Sequence, residues 1–159
     1  LFGHSRGGGI AMLKTAEDRR VAKIISWASP SNFIDRLPKG DKLAKWKEMD
    51  VAYIYNGRTK QNMPMYFQFH QNCKANTKRL NIQDAVSKMS IPHLVVHGSE
   101  DPTVLLTEAE NIQNWNTDTQ LHIIEGANHV LGGFHPFDLE KFPSDLQEAI
   151  DVTIAFLKE

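Results

Sequence analysis

Gly3-His4-Ser5-Arg6-Gly7 places a glycine two positions to either side of a serine, and a helix-compatible stretch over 6–16 follows at once. A serine in a sharp strand-to-helix turn can raise its hydroxyl above a sheet only where the flanking chain carries no obstructing Cβ. The helix start then offers backbone N–H groups to a developing oxyanion. On this reading Ser5 is a nucleophile, the Arg6 N–H is one oxyanion donor, and Gly3 and Gly7 form the elbow. Glycine-rich turns before helices also bind phosphate or simply connect elements. Neither a GxxxxGK[ST] nor a GxGxxG pattern is present to favour phosphate.

A serine hydroxyl at its ordinary pKa needs a base, and the base needs an orienting acid. The apolar run 91–97 leads into Gly98-Ser99-Glu100-Asp101-Pro102, which places Asp101 at the C-terminal edge of a strand, where open α/β sheets bind ligands. Asp101 reads equally well as an Asp-Pro turn residue. The strand 121–124 leads into Glu125-Gly126-Ala127-Asn128-His129, and so brings His129 to the same edge as the candidate base. Its rival is His135, six residues on in a glycine-loosened loop that could instead cover the site. Of the other histidines, His97 and His122 lie inside strands and read as packed or hydrogen-bonded residues. His4 is expected to pack beneath the elbow, His93 sits at a strand mouth, and His70 is remote from any acid motif.

No HExxH pattern or other metal-ligand spacing occurs, and nothing around Cys73 marks it as a nucleophile, so neither a metal nor another cofactor is expected. The net charge of −1 hides a sorted distribution. Residues 31–80 carry 10 basic and 4 acidic side chains, whereas residues 81–159 carry 3 and 13. Such segments can steer an anionic ligand or form solvated faces that attract each other. No stacking or groove-reading motif accompanies the basic residues, so nucleic acid is not an expected partner. The apolar runs fall well short of the roughly 18 residues a membrane-spanning helix needs. A lone cysteine excludes an intramolecular disulfide, which points toward a reducing, cytoplasmic setting. The first residue is Leu1 rather than Met, which leaves room for an upstream signal peptide.

The elements that must hold these residues alternate in type. Strands are expected at 21–28, 91–97 and 121–124, and helices at 6–16, 82–89, 107–115 and 144–157. The last helix has a capping-box start (Ser144 with Gln147) and an apolar line through Leu146, Ile150, Ile154 and Leu157. In the first helix Ile10, Ala11, Leu13 and Lys14 are expected on the packed face. Alternation of this kind predicts an α/β fold with a parallel sheet flanked by helices. The segment 31–80 differs: a helix over 41–49, a hairpin turning at Asn56-Gly57, and a helix over 65–73. Its aromatics (Tyr53, Tyr55, Tyr66, Phe67, Phe69) are expected to pack rather than line a pocket.

In combination, the chain order Ser5, Asp101, His129 with GHSRGG, VVHGSEDPTV, EGANHV and the segment YNGRTKQ resembles the α/β-hydrolase superfamily, in particular its dienelactone-hydrolase and prolyl-oligopeptidase-like branch. The resemblance spans essentially all of residues 1–159. It implies a serine hydrolase acting on a small acyl substrate as an ester, thioester or amide, most simply a carboxylesterase; a peptidase of the prolyl-oligopeptidase type is the nearest variant. It also implies that the three strands are the family's sixth, seventh and eighth, and that residues 31–80 stand where the family inserts a cap. The earlier strands, and the loop with the second oxyanion donor, would precede Leu1. The chain is therefore expected to be the C-terminal part of a larger domain, with three strands, an exposed apolar edge at Ile24-Ile25, and weak activity by itself. A non-catalytic interaction domain that keeps the fold is the competing expectation.

Overall fold

A computed structural model describes residues 1–57 and 59–159; Arg58, within the YNGRTKQ segment, lies outside the described residues. The chain divides into two compact units. The first comprises residues 1–32 and 81–159, and the second residues 33–80.

The first unit is a parallel sheet with helices on both faces. Its strands are β1 (Phe2–His4), β2 (Ile24–Trp27), β5 (His93–Gly98) and β6 (Gln120–Ile124), hydrogen-bonded in the order β1-β2-β5-β6. Between them run α1 (Arg6–Glu17), α4 (Ile82–Ser87) and α5 (Leu106–Trp115), and α6 (Ser144–Lys158) closes the unit. β5 is buried along its whole length, as a central strand covered on both faces must be. On one face Ile25, Leu94, Val96 and Ile124 pack with Ala127, Leu131, Ala149 and Phe156. Alternation turns Ile24, Ser26, His93, Val95 and His97 to the opposite face. There Met12, Val86, Ala109 and Ile112 of α1, α4 and α5 are buried.

Several expectations change in this unit. The sheet has four strands rather than three, because Phe2, Gly3 and His4 pair with Ile25, Ser26 and Trp27. Ile24 and Ile25 are therefore interior and buried, not an exposed edge. The expected strand over 21–28 shortens to its β-branched centre. In α1, Ile10 is exposed and the buried side is Gly8, Gly9, Ala11, Met12 and Leu13. The capping box of α6 does not form: Pro143 is the N-cap, Ser144 donates to Asp145, and Gln147 donates to Asp151. The face of α6 that meets the sheet carries Ala149 and Phe156 with Leu146 and Val152 beside them. Ile154 and Leu157 are left exposed.

The second unit holds a short 3-10 turn (Ile34–Arg36), α2 (Gly40–Met49), the antiparallel pair β3 (Val51–Asn56) and β4 (Gln61–Tyr66), and α3 (Gln68–Ala75). Its core is Leu37, Trp46, Phe67 and Cys73, joined by Ile34, Leu43, Ala52, Met65, Phe69 and Leu80. The hairpin register pairs Asn56 with Gln61, so Asn56-Gly57 is not a two-residue turn, and Lys60 has left-handed backbone. Met65 and Tyr66 belong to β4, which pushes the start of the expected 65–73 helix to Gln68. The aromatics divide in the same way. Phe67 and Phe69 pack, whereas Tyr53, Tyr55 and Tyr66 are exposed. His70 stacks on the Phe67 ring at 5.0 Å.

Candidate active site

Ser5 sits between β1 and α1 with φ 54° and ψ −129°, in the left-handed half of backbone space that a residue with a Cβ rarely occupies. The turn is held by its Ser5 N–H donating to the Trp27 carbonyl (2.8 Å) and by the Gly8 N–H donating to the Ser5 carbonyl (2.9 Å). Two glycines make it possible. A Cβ on Gly3 would stand 2.4 Å from the Gly7 carbonyl oxygen, and one on Gly8 would stand 1.7 Å from Ser29 Oγ. A Cβ on Gly7 would meet nothing, so the elbow expected at Gly3 and Gly7 is sterically an elbow at Gly3 and Gly8.

Asp101 follows β5 and is buried. Its Oδ1 accepts from the Thr103 N–H (2.7 Å) and the Val104 N–H (2.8 Å), and its Oδ2 lies 2.7 Å from His129 Nδ1. The two amides offer hydrogens to one oxygen, which suits an ionised carboxylate. His129 Nδ1 then carries the proton that Oδ2 accepts. The lone pair of His129 Nε2 faces Ser5 Oγ at 3.0 Å.

The loops after β5 and β6 are tied to each other. Ser99 Oγ accepts from the Gly126 N–H (2.8 Å), the Glu100 N–H donates to the Ala127 carbonyl (3.1 Å), and the Ser99 N–H donates to the Ile124 carbonyl (3.0 Å). The approach is so close that a Cβ on Gly98 would stand 2.2 Å from the Ala127 oxygen. Beyond the histidine, Asn128 Oδ1 accepts from the Val130 and Gly132 N–H groups, and His4 Nε2 lies 2.9 Å from the His129 carbonyl. The rings of His4 and His129 lie 5.0 Å apart.

Ser5, Asp101 and His129 thus come together, and Arg6 opens the helix behind the serine. His129 rather than His135 makes these contacts; His135 is exposed in the following loop. His122 lies within β6 and is hydrogen-bonded, as expected, its partner being Glu148 at 2.7 Å, but it is half-exposed rather than a core residue. His93 and His97 are wholly buried. Burial lowers the His93 pKa to about 4. Close backbone approach at the start of α1 was legible from Gly7, Gly8 and Gly9 together, but sequence reasoning did not single out Gly8 among them and missed Gly98 and the Thr103 and Val104 amides. The glycines were visible as residues, but no spacing rule says which Cβ would clash. Among the described residues no group of three or more His, Cys, Asp or Glu is placed to hold a metal, and no helix is long and apolar enough to cross a membrane.

The parallel sheet, the strained serine after β1, the aspartate after β5 and the histidine after β6 match the architecture of the α/β-hydrolase fold. Solved structures of like architecture bear this out at low sequence identity. Est1E from Butyrivibrio proteoclasticus, solved with ferulic acid bound, matches with a TM-score of 0.69 and 17% identity over 99% of this chain and 59% of its own. A monoacylglycerol lipase from Paleococcus ferrophilus gives 0.67 and 13% over 98% and 68%, and a bromoperoxidase from Bacillus anthracis gives 0.59 and 19% over 100% and 67%. The chain spans about half to two thirds of the length of the solved proteins it resembles. No protein-family model matches the sequence, and no curated protein matches it.

Proposed function

We propose that this chain carries the catalytic residues of a serine hydrolase that cleaves a carboxylic ester, with Ser5 as nucleophile, His129 as general base and acid, and Asp101 as the group that orients the imidazole. The observation that carries the reading is the continuous path from Ser5 Oγ to His129 Nε2 (3.0 Å) and from His129 Nδ1 to Asp101 Oδ2 (2.7 Å). Ser5 Oγ attacks the acyl carbon as its proton passes to His129 Nε2. The imidazolium is stabilised by Asp101, which stays ionised. The carbonyl oxygen becomes an oxyanion beside the helix start, where the Arg6 N–H is this chain's donor. His129 then gives its proton to the departing alkoxide, which leaves an acyl group on Ser5. A water deprotonated by His129 then attacks the acyl carbon, and His129 returns the proton to Ser5 Oγ as the Oγ–acyl bond breaks and the acid leaves.

Esterase and lipase architectures among the similar structures support an ester over an amide substrate. The dienelactone-hydrolase and prolyl-oligopeptidase-like branch is the finer assignment, and it rests on the sequence motifs alone. Hydrolysis of a p-nitrophenyl ester tests the reading: Ser5→Ala is expected to lower turnover on the order of 10⁴- to 10⁶-fold. Equal turnover in the wild type and Ser5→Ala would overturn it.

A further inference from the structure

His97 lies on the buried face of β5, four residues before Asp101, and is wholly enclosed. Its Nε2 is 2.8 Å from the Val104 carbonyl oxygen, an atom that only accepts, so Nε2 carries the proton and donates it there. The same Nε2 is 3.6 Å from Asp101 Oδ2, the oxygen that receives His129. That separation is too long for a second hydrogen bond. Nδ1 of His97 finds no hydrogen-bond partner among the described residues.

Val104 is therefore gripped from both sides. Its N–H donates to Asp101 Oδ1 at 2.8 Å, and its carbonyl accepts from His97 at 2.8 Å. Simple packing does not explain this arrangement. A leucine or phenylalanine would fill the same space without leaving a bare ring nitrogen in an apolar layer, where an unpaired polar atom is costly. What the imidazole adds is one donor at a fixed height above the strand, aimed at the turn that bears the acid.

We infer that His97 is a positioning residue for the proposed triad: by holding the Val104 peptide through Nε2–H, it fixes the 101–104 turn so that Asp101 Oδ2 faces His129 Nδ1. The inference rests on the serine-hydrolase reading above, and it predicts a particular pattern among substitutions. The amide nitrogen of glutamine reaches where Nε2 of histidine stands, so His97→Gln keeps a donor for the Val104 carbonyl, whereas His97→Phe keeps the bulk and loses the donor. Misplacing a supporting group typically lowers turnover about 10- to 100-fold. His97→Phe should lose about that much in kcat with KM little changed, and His97→Gln should stay within about threefold of wild type.

Proton NMR of the full chain reads the His129 Nδ1–H held by Asp101 directly, as a far-downfield resonance, without requiring turnover. It should be present in the wild type and His97→Gln and lost or shifted in His97→Phe. A resonance unchanged in His97→Phe, or both variants melting early with equal losses of kcat, would leave His97 a packing residue and overturn the inference. Absence of the resonance from the wild type would instead count against the triad itself. Nitrogen-15 shifts of His97 in the wild type supply a reading that survives any folding failure of the variants. The proton is expected on Nε2, and finding it on Nδ1 would refute the assignment.

Discussion

Two serine–histidine pairs stand in the same sheet. At the C-terminal edge, Ser5 Oγ meets His129 Nε2 at 3.0 Å; inside the sheet, Ser26 Oγ meets His93 Nε2 at 2.9 Å. Distance does not separate them, but everything around the two imidazoles does. His129 Nδ1 has a carboxylate at 2.7 Å, whereas His93 Nδ1 has no hydrogen-bond partner among the described residues. Ser5 is forced into a left-handed turn at a strand end with its side chain partly exposed, whereas Ser26 has ordinary strand geometry and is fully buried between β1 and β5. A base without an orienting acid, next to a hydroxyl that no substrate can reach, is a structural hydrogen bond. On the proposed reading, the same two side chains serve chemistry only where the fold adds a third group, strain and access.

Acid should break the buried pair first. The His93 pKa is lowered from the ordinary 6.5 to about 4 because burial opposes its charged form. Unfolded chain therefore binds the proton more readily than folded chain. The stability His93 contributes is fully present above pH 6.5, falls as the pH drops toward 4, and levels off below that. A shift of this size corresponds to about 3 kcal/mol. Denaturant unfolding across this range should show the wild type losing about that much more stability than His93→Gln; parallel curves for the two proteins would contradict the assignment.

A smaller effect should separate the glycines that allow the Ser5 turn. Gly3→Ala forces a Cβ to within 2.4 Å of the Gly7 oxygen, a backbone atom that cannot swing away. Overpacking of this kind costs roughly 1–3 kcal/mol. Gly7→Ala meets open space inside α1, and should be neutral or gain up to about 1 kcal/mol. Thermal unfolding of the two variants decides the matter. Equal destabilisation would mean that the G-x-S-x-G spacing, rather than the Gly3–Gly8 packing, describes the elbow.

These glycines mark where the sequence is legible and where it is not. Strands β2, β5 and β6 were readable because short β-branched runs ending in Gly, Ser or Pro leave few other structures open. Asp101 and His129 could be named because each follows such a run at the edge where they now meet, and Ser5 because it stands in a G-x-S-x-G spacing before a helix. β1 was not readable, since three residues carry no period, and only its ladder to β2 defines it. The failed capping box at Ser144 and the longer hairpin connection after Asn56 have a common cause: local side-chain chemistry permits several backbones, and tertiary packing chooses among them. The close approach at Gly98 is a product of loops meeting across the sheet, and the His97–Val104 contact of the following turn folding back on its own strand; no local pattern encodes either.

The central claim is that Ser5 is the activated serine and Ser26 is not. Treating the folded chain with a fluorophosphonate and mapping the adduct by peptide mass spectrometry tests it most directly. The account predicts a single adduct on Ser5, formed far more slowly in His129→Gln and at an unchanged rate in His93→Gln. An adduct that persists after Ser5→Ala, or labelling of Ser5 that does not depend on His129, would contradict it.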